Sequence, residues 1–170
     1  TQFGFLGHEG CDFVPNSHQQ AGADIYSICD GEIVRDTDDI SQDPNWGAYG
    51  KKVIIWNKDK KIAFWYCHLK DNVVKLGQQT KEGELIGHMG HTSIPGNVFG
   101  DHLHLNMCDT DDSGTRLNQD NGYKGFIDPL PFVQADLPAG DSFLGKSKDY
   151  WLQVEKDRES LLQTEGELKS

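Results

Sequence analysis

KKVIIWNKDKKIAFWYCHL, residues 51–69, sets two runs of β-branched and aromatic residues, VIIW and IAFWYC, on either side of the polar stretch NKDKK. Two such runs joined by a short polar turn read as an antiparallel hairpin. Working outward, DIYSI and GEIVR precede it and ELIGHMG and HLHLNM follow, each bounded by Gly, Asp or Asn. The chain holds 19 glycines, and its first 130 residues show no apolar period of three to four. Many short strands with glycine punctuation predict a mainly β protein built on an antiparallel sheet.

A length of 170 residues fits one domain with a real core. DPLPFV, residues 128–133, reads as the exit from that domain, and DLPAG, residues 136–140, as a second breaker. The expected division is a domain over 1–133, a linker over 134–143 and a C-terminal helical extension over 144–170. Val154, Leu161 and Leu168 are seven apart, as a C-terminal helix with one apolar stripe requires. Arg158 and Glu165 at the other seam positions argue against a coiled coil. Thr1 is followed by no signal-peptide pattern, which suggests a processed or excised chain.

Composition excludes some classes. No apolar run approaches the ~20 residues needed to cross a bilayer, so no membrane span is expected. The net charge of -11, from 16 basic and 27 acidic residues, argues against nucleic acid, whose binding rests on Lys and Arg neutralising phosphates. The same charge gives no long-range attraction to an anionic wall. Cys11, Cys29, Cys67 and Cys108 lack CxxC spacing and are expected as buried free thiols, which suit assembly in a reducing compartment.

The chemistry is concentrated in two short motifs. In GDHLHLNM, residues 100–107, His102 and His104 leave the same face of a strand, about 6–7 Å apart along the backbone. HEGCD, residues 8–12, spaces His8 and Asp12 so that both can reach one ion from a strand end and its turn. Two imidazoles and a carboxylate leave a fourth tetrahedral position open, the ligand set of a catalytic zinc. Spacing alone does not say whether His102 or His104 is the third ligand. His68, closing WYCHL, adds an imidazole, so two histidines outside the ligand set could take a proton from water and stabilise an oxyanion.

Taken in order, HEGCD, GADIYSICDGEIV, YGKKVIIW, WYCHL, GQQTKEGELIGHMGHT and DHLHL resemble the lysostaphin-like, LytM-type zinc metalloendopeptidases over residues 8–107. The resemblance implies a β-sheet groove of the duplicated-hybrid-motif/LytM type, walled by loops. It implies Zn²⁺ held by His8, Asp12 and His104, with His68 and His102 as catalytic residues. The implied substrate is peptidoglycan peptide, cut in the stem or the cross-bridge. A phage tail-associated domain carried by the virion is the expected setting, with a secreted, wall-acting autolysin as the alternative. Other phage tail proteins or a targeting domain are then the expected partners.

The sequence departs from the usual pattern in having Asp101 before HLH and Leu105-Asn106 after it, where Phe-Glu is often found. Asp101 reads equally as a partner for an imidazole or as a solvent-facing turn residue. Rival readings are a catalytically silent wall-binding or tail structural module and a D-alanyl carboxypeptidase with His/Asp/His ligands; HxxxD with HxH favours the endopeptidase. Among the remaining positions, His18 reads as a surface residue, His88 and His91 as candidates for the groove wall, and Tyr49 as a groove or packing aromatic. DTDDSGTRLNQD, residues 109–120, is too irregular for an EF-hand and is a candidate groove wall or Ca²⁺ loop.

Overall fold

The hairpin at residues 51–69 sits at the centre of the main sheet. Its strands, β4 (Lys52–Asn57) and β5 (Ile62–Cys67), pair antiparallel from Val53↔Tyr66 to Asn57↔Ile62. Lys61, with φ 53°, closes the turn, and the Asn57 side chain accepts the Lys60 amide at 2.8 Å. Outward from this hairpin run β3 (Gly31–Thr37) and β7 (Gln79–Thr80) on one side, and β9 (Leu103–Asp109) and β1 (Cys11–Phe13) on the other. β10 (Phe126–Ile127) also pairs with β9, completing a seven-stranded sheet. A separate three-stranded sheet sets β8 (Leu85–His88) between β2 (Asp24–Tyr26) and β6 (Asp71–Asn72). Every pairing is antiparallel, as the strand pattern predicts.

This computed structural model describes residues 7–14, 22–37, 47–96, 100–135, 142–143 and 146–147. The chain divides into two compact units, Thr1–Asp128 and Pro129–Ser170.

The central strands are buried on both faces, so VIIW and IAFWYC read as continuous apolar runs rather than alternating ones. One face aligns Val53, Tyr66 and Leu105, then Ile55, Phe64 and Met107, all within 2% of full burial. The other carries Ile54, Ala63, Cys67 and Cys108, packed with Tyr49 and Phe126. Each fully buried large apolar side chain contributes roughly 1.5–3 kcal/mol. Strand β9 is buried along its whole length and lies between β1 and β5. The HLH motif therefore enters a rigid position.

In the second unit a six-residue helix, α1 (Leu130–Ala135), occupies the stretch read as a domain exit. Pro131 is tolerated in its first turn because an amide there has no helical partner anyway. β11 (Ser142–Phe143) pairs with β12 (Lys146–Ser147). The helix expected from Val154 to Leu168 lies outside the described residues. Among the described residues no helix is long and apolar enough to cross a membrane.

Candidate active site

Strand register builds the first part of the site. β1 pairs with β9 so that Asp12 stands opposite His104. Asp12 Oδ1 lies 2.8 Å from His104 Nδ1 and 3.4 Å from His8 Nε2. One ligand atom from each of His8, Asp12 and His104 falls within 4.8 Å of the others, close enough to surround a single ion. His104 is buried, whereas His8 and Asp12 are about half exposed, so the cluster has a closed back and an open mouth. Burial raises the Asp12 carboxyl, but the hydrogen bond from His104 and the nearness of His8 outweigh it and hold the pKa below its ordinary value. Asp12 is therefore an anion across the working pH range.

These residues fit zinc. Two imidazoles and one carboxylate with one side open match a catalytic rather than a structural site. Cys67 stands directly opposite His104 across the β5–β9 pairing, on the same face. Alternation from the neighbouring His68 predicts the reverse, a thiol pointing away from the site; the thiol is nonetheless fully buried, as expected. Burial pushes its pKa far up, so it offers no thiolate as a fourth ligand. All four cysteines are free.

His68 ends β5 in the left-handed region, with φ 60°. Regular alternation would send it to the face opposite Cys67; the positive φ turns it back toward the histidines. Its ring centroid lies 4.6 Å from that of His102 and 5.8 Å from that of His104. A carbonyl can only accept, so His68 Nδ1–H donates to Thr92 O at 2.7 Å, and the Nε2 lone pair faces away from that bond. Burial lowers the His68 pKa to about 4, against the opposing pull of the Thr92 bond. His102 Nδ1–H likewise donates to Gly100 O, at 2.8 Å, and the His102 amide bonds to Gly90 O at 3.0 Å.

The carbonyl that holds His68 is itself fixed. Thr92 Oγ1 donates to Leu69 O and accepts from the Lys51 amide. Gly50, with φ 60°, lies beneath it, and a Cβ there would come 2.0 Å from Thr92 O. Neither Thr92 nor Gly50 carries a motif that marks its role, since one contributes a carbonyl and the other an absent side chain. Glu9, inside HEGCD, also escapes the motif reading. Its carboxylate accepts the Tyr49 hydroxyl at 2.6 Å and faces His104 Nε2 at 3.6 Å.

Among the described residues, His88 and His91 pair with other carboxylates. His91 Nδ1 bonds Asp101 at 2.7 Å, so Asp101 does partner an imidazole, though one outside the five. His88 ends β8, with Nδ1 against Asp71 and Nε2 3.6 Å from Asp24, tied across the small sheet. His18 lies outside the described residues. Tyr49 is buried, with its ring 5.7 Å from that of His104, so it packs and supports the site at once. In the 109–120 stretch Asp111 Oδ1 accepts the Ser113 and Thr115 amides, and Asp112 pairs with Lys61 at 2.9 Å. That turn sits by the tip of the β4–β5 hairpin, at the opposite end of β9 from His104.

Residues 6–118, which include all five site residues, match the profile of Peptidase family M23. The chain belongs to Peptidase family M23. Within this family it is similar to the glycyl-glycine endopeptidase ALE-1 of Staphylococcus capitis, 28% identical over 130 residues, 75% of this chain and 29% of that protein. The peptidoglycan DD-endopeptidase ShyC of Vibrio cholerae is 24% identical over 95% of this chain and 30% of its own length. Morphogenesis protein 1 of Bacillus phage B103 is 28% identical over 48% of this chain and 22% of its own. The chain thus spans under a third of the length of these M23 relatives. The solved catalytic domain of lysostaphin from Staphylococcus simulans is 27% identical, covering 75% of this chain and 79% of that domain, with a TM-score of 0.54. The antiparallel β fold is that of the lysostaphin and LytM catalytic domains.

Proposed function

We propose that this M23 chain is a zinc-dependent endopeptidase that hydrolyses peptide bonds of bacterial peptidoglycan, in the stem peptide or the cross-bridge. The observation that carries the reading is the adjacency of two imidazoles, His68 and His102, to a separate His8–Asp12–His104 cluster able to surround one ion. The endopeptidase names of ALE-1 and ShyC support the substrate class.

His8, Asp12 and His104 would hold the zinc. A zinc ion there supplies a water of lowered pKa, towards ~7, and polarises the scissile carbonyl. His68 is the proton acceptor: its Nδ1–H is held by Thr92 O, which puts the lone pair on Nε2, and burial keeps the ring neutral well below pH 7. It takes the proton of the attacking water and returns it to the leaving amine. His102 is partly exposed and in ring contact with that neutral imidazole. It is the proposed donor to the developing oxyanion, a contribution of roughly 3–4 kcal/mol.

The functional domain is proposed as residues 1–133, with 134–143 leading to the extension 144–170. Delivery by a phage particle is the proposed setting, supported by four free thiols, the lack of charge attraction to an anionic wall and one phage relative. The test is digestion of purified peptidoglycans of differing cross-bridge chemistry, with and without a chelator, read by mass spectrometry. New peptide amino and carboxyl ends that vanish with chelator are expected. Intact peptides in every wall type, from zinc-loaded protein, would overturn the reading in favour of a silent wall-binding module.

A further inference from the structure

His104 has two ring nitrogens, and the candidate ligand cluster accounts for only one. Nε2 is buried without a hydrogen bond. The carboxylate facing it is Glu9, whose Oε1 stands 3.6 Å away, an ion-pair rather than a hydrogen-bond distance.

We propose that Glu9 is a positioning residue for the metal site: an ion on Nδ1 of His104 would replace the hydrogen bond to Asp12 and leave the ring proton on Nε2, where the Glu9 carboxylate faces it. This rests on the zinc reading of that cluster. In the metal-free cluster Nδ1–H donates to Asp12 Oδ1 at 2.8 Å, and this turns the Nε2 lone pair toward the Glu9 anion, which is repulsive. A proton on Nε2 removes that repulsion and leaves Nδ1 as the donor atom that a metal needs.

Two further observations pin the carboxylate. The Glu9 side chain is only 12% exposed, and its Oε1 accepts the Tyr49 hydroxyl at 2.6 Å, so the same oxygen sits between a phenol and an imidazole. Burial, with the Glu9 carboxylate adding to it, pushes the Tyr49 pKa far up, and the phenol stays a donor. The turn that carries Glu9 also lies flat on β9. A Cβ at Gly10 would come 2.0 Å from Asn106 Oδ1, 2.5 Å from Leu105 O and 3.1 Å from His104 Cε1. Only glycine permits this approach, and beside it the Glu9 carboxylate stands 3.6 Å from His104 Nε2. Glu9 accordingly stands outside the group of three that can share an ion.

The test is zinc affinity of the full chain, measured by competition with a chromophoric chelator, alongside melting of the zinc-free protein. Glu9→Gln keeps the shape and removes the charge; Glu9→Ala removes both, and Tyr49→Phe frees the carboxylate from its phenol. Zinc affinity is expected to fall roughly tenfold in Glu9→Gln and up to about a hundredfold in Glu9→Ala, the range seen when such partners are lost. A smaller loss is expected in Tyr49→Phe, and the zinc-free melting temperature of Glu9→Gln should stay near that of the parent. Affinities within twofold of a parent that binds one zinc would overturn the role of Glu9 alone. A loss of affinity matched by collapse of the zinc-free melting temperature in both Glu9 variants would reduce Glu9 to a fold residue. A parent that binds no zinc would overturn both this role and the proposed function.

Discussion

The two ends of the histidine row are partnered differently. At one end His104 lies between two carboxylates, Asp12 at 2.8 Å and Glu9 at 3.6 Å, with His8 beside Asp12 at 3.4 Å. At the other end His68 and His102 each give Nδ1–H to a backbone carbonyl, Thr92 O at 2.7 Å and Gly100 O at 2.8 Å. Carboxylates concentrate negative charge and suit a cation. Carbonyls fix a tautomer without adding charge and put the lone pair on Nε2, the atom that would exchange a proton. On the proposed function one residue type would do two jobs within a few ångströms, and the acceptor behind each ring would decide which.

The sharpest way to break this comparison is to delete one ring from each end. His104→Ala should lose stoichiometric zinc and all measurable activity. His102→Ala and His68→Ala should keep zinc while kcat falls by about 10²–10⁴, the range for a lost acid–base or oxyanion group. Metal analysis beside turnover separates the two ends; zinc retention in His104→Ala, or full activity in His68→Ala, would merge them.

A second difference appears with pH. An unfolded histidine binds its proton near pH 6.5, whereas His68 in the fold does so only near 4, because burial disfavours the charged ring. Between these values the unfolded chain binds more protons, so stability rises with pH from about 4 to 6.5 and the penalty is gone above that window. For a shift of this size the penalty reaches about 3 kcal/mol at the acid end. Chemical denaturation of zinc-free protein across the window should show that slope in the parent. His68→Gln should lose the His68 share of it, and equal slopes would contradict a buried neutral ring.

How much of this was legible in the sequence differs between the same two ends. HxxxD and HxH mark the carboxylate end, because strand alternation puts His102 and His104 on one face and β1 brings Asp12 opposite His104. The hairpin and the strands at GEIVR, ELIGHMG and HLHLNM follow from local pattern in the same way. The carbonyl end does not. Residue type names His68, but its place among the histidines depends on a positive φ that no side-chain pattern encodes, and its partner is a carbonyl that any residue at position 92 would carry. Cys67 faces His104 because the two are register partners in the β5–β9 pairing, so alternation counted from the turned-back His68 misplaces it. β6, β7 and β10 are two residues each, too short for a period of two to register.

Backbone support for the carbonyl end can be tested without touching a histidine. Gly50→Ala forces a Cβ against Thr92 O at a left-handed φ, so the Thr92 carbonyl must move. Such strain costs of order 1–3 kcal/mol. Turnover should fall with zinc affinity unchanged, because the shift reaches His68 before the carboxylate cluster. A drop in zinc affinity equal to that in kcat would show that the two ends move as one.

The smallest effect should come from the third histidine–carboxylate group. His88, set between Asp71 and Asp24, looks on paper like the His104 arrangement, yet it sits on the three-stranded sheet with all three side chains partly open to water. Solvent-screened pairs of this kind contribute about 0–1 kcal/mol. His88→Ala should therefore lower stability by less than about 1 kcal/mol and leave zinc affinity and kcat at parental values. The contrast with His104→Ala isolates what burial adds: the same residue types, opened to solvent, become a weak surface tie, whereas a closed back and converging ligand atoms make a site. A His88→Ala protein that lost zinc would mean that the small sheet, rather than β9 alone, holds the geometry of the cluster.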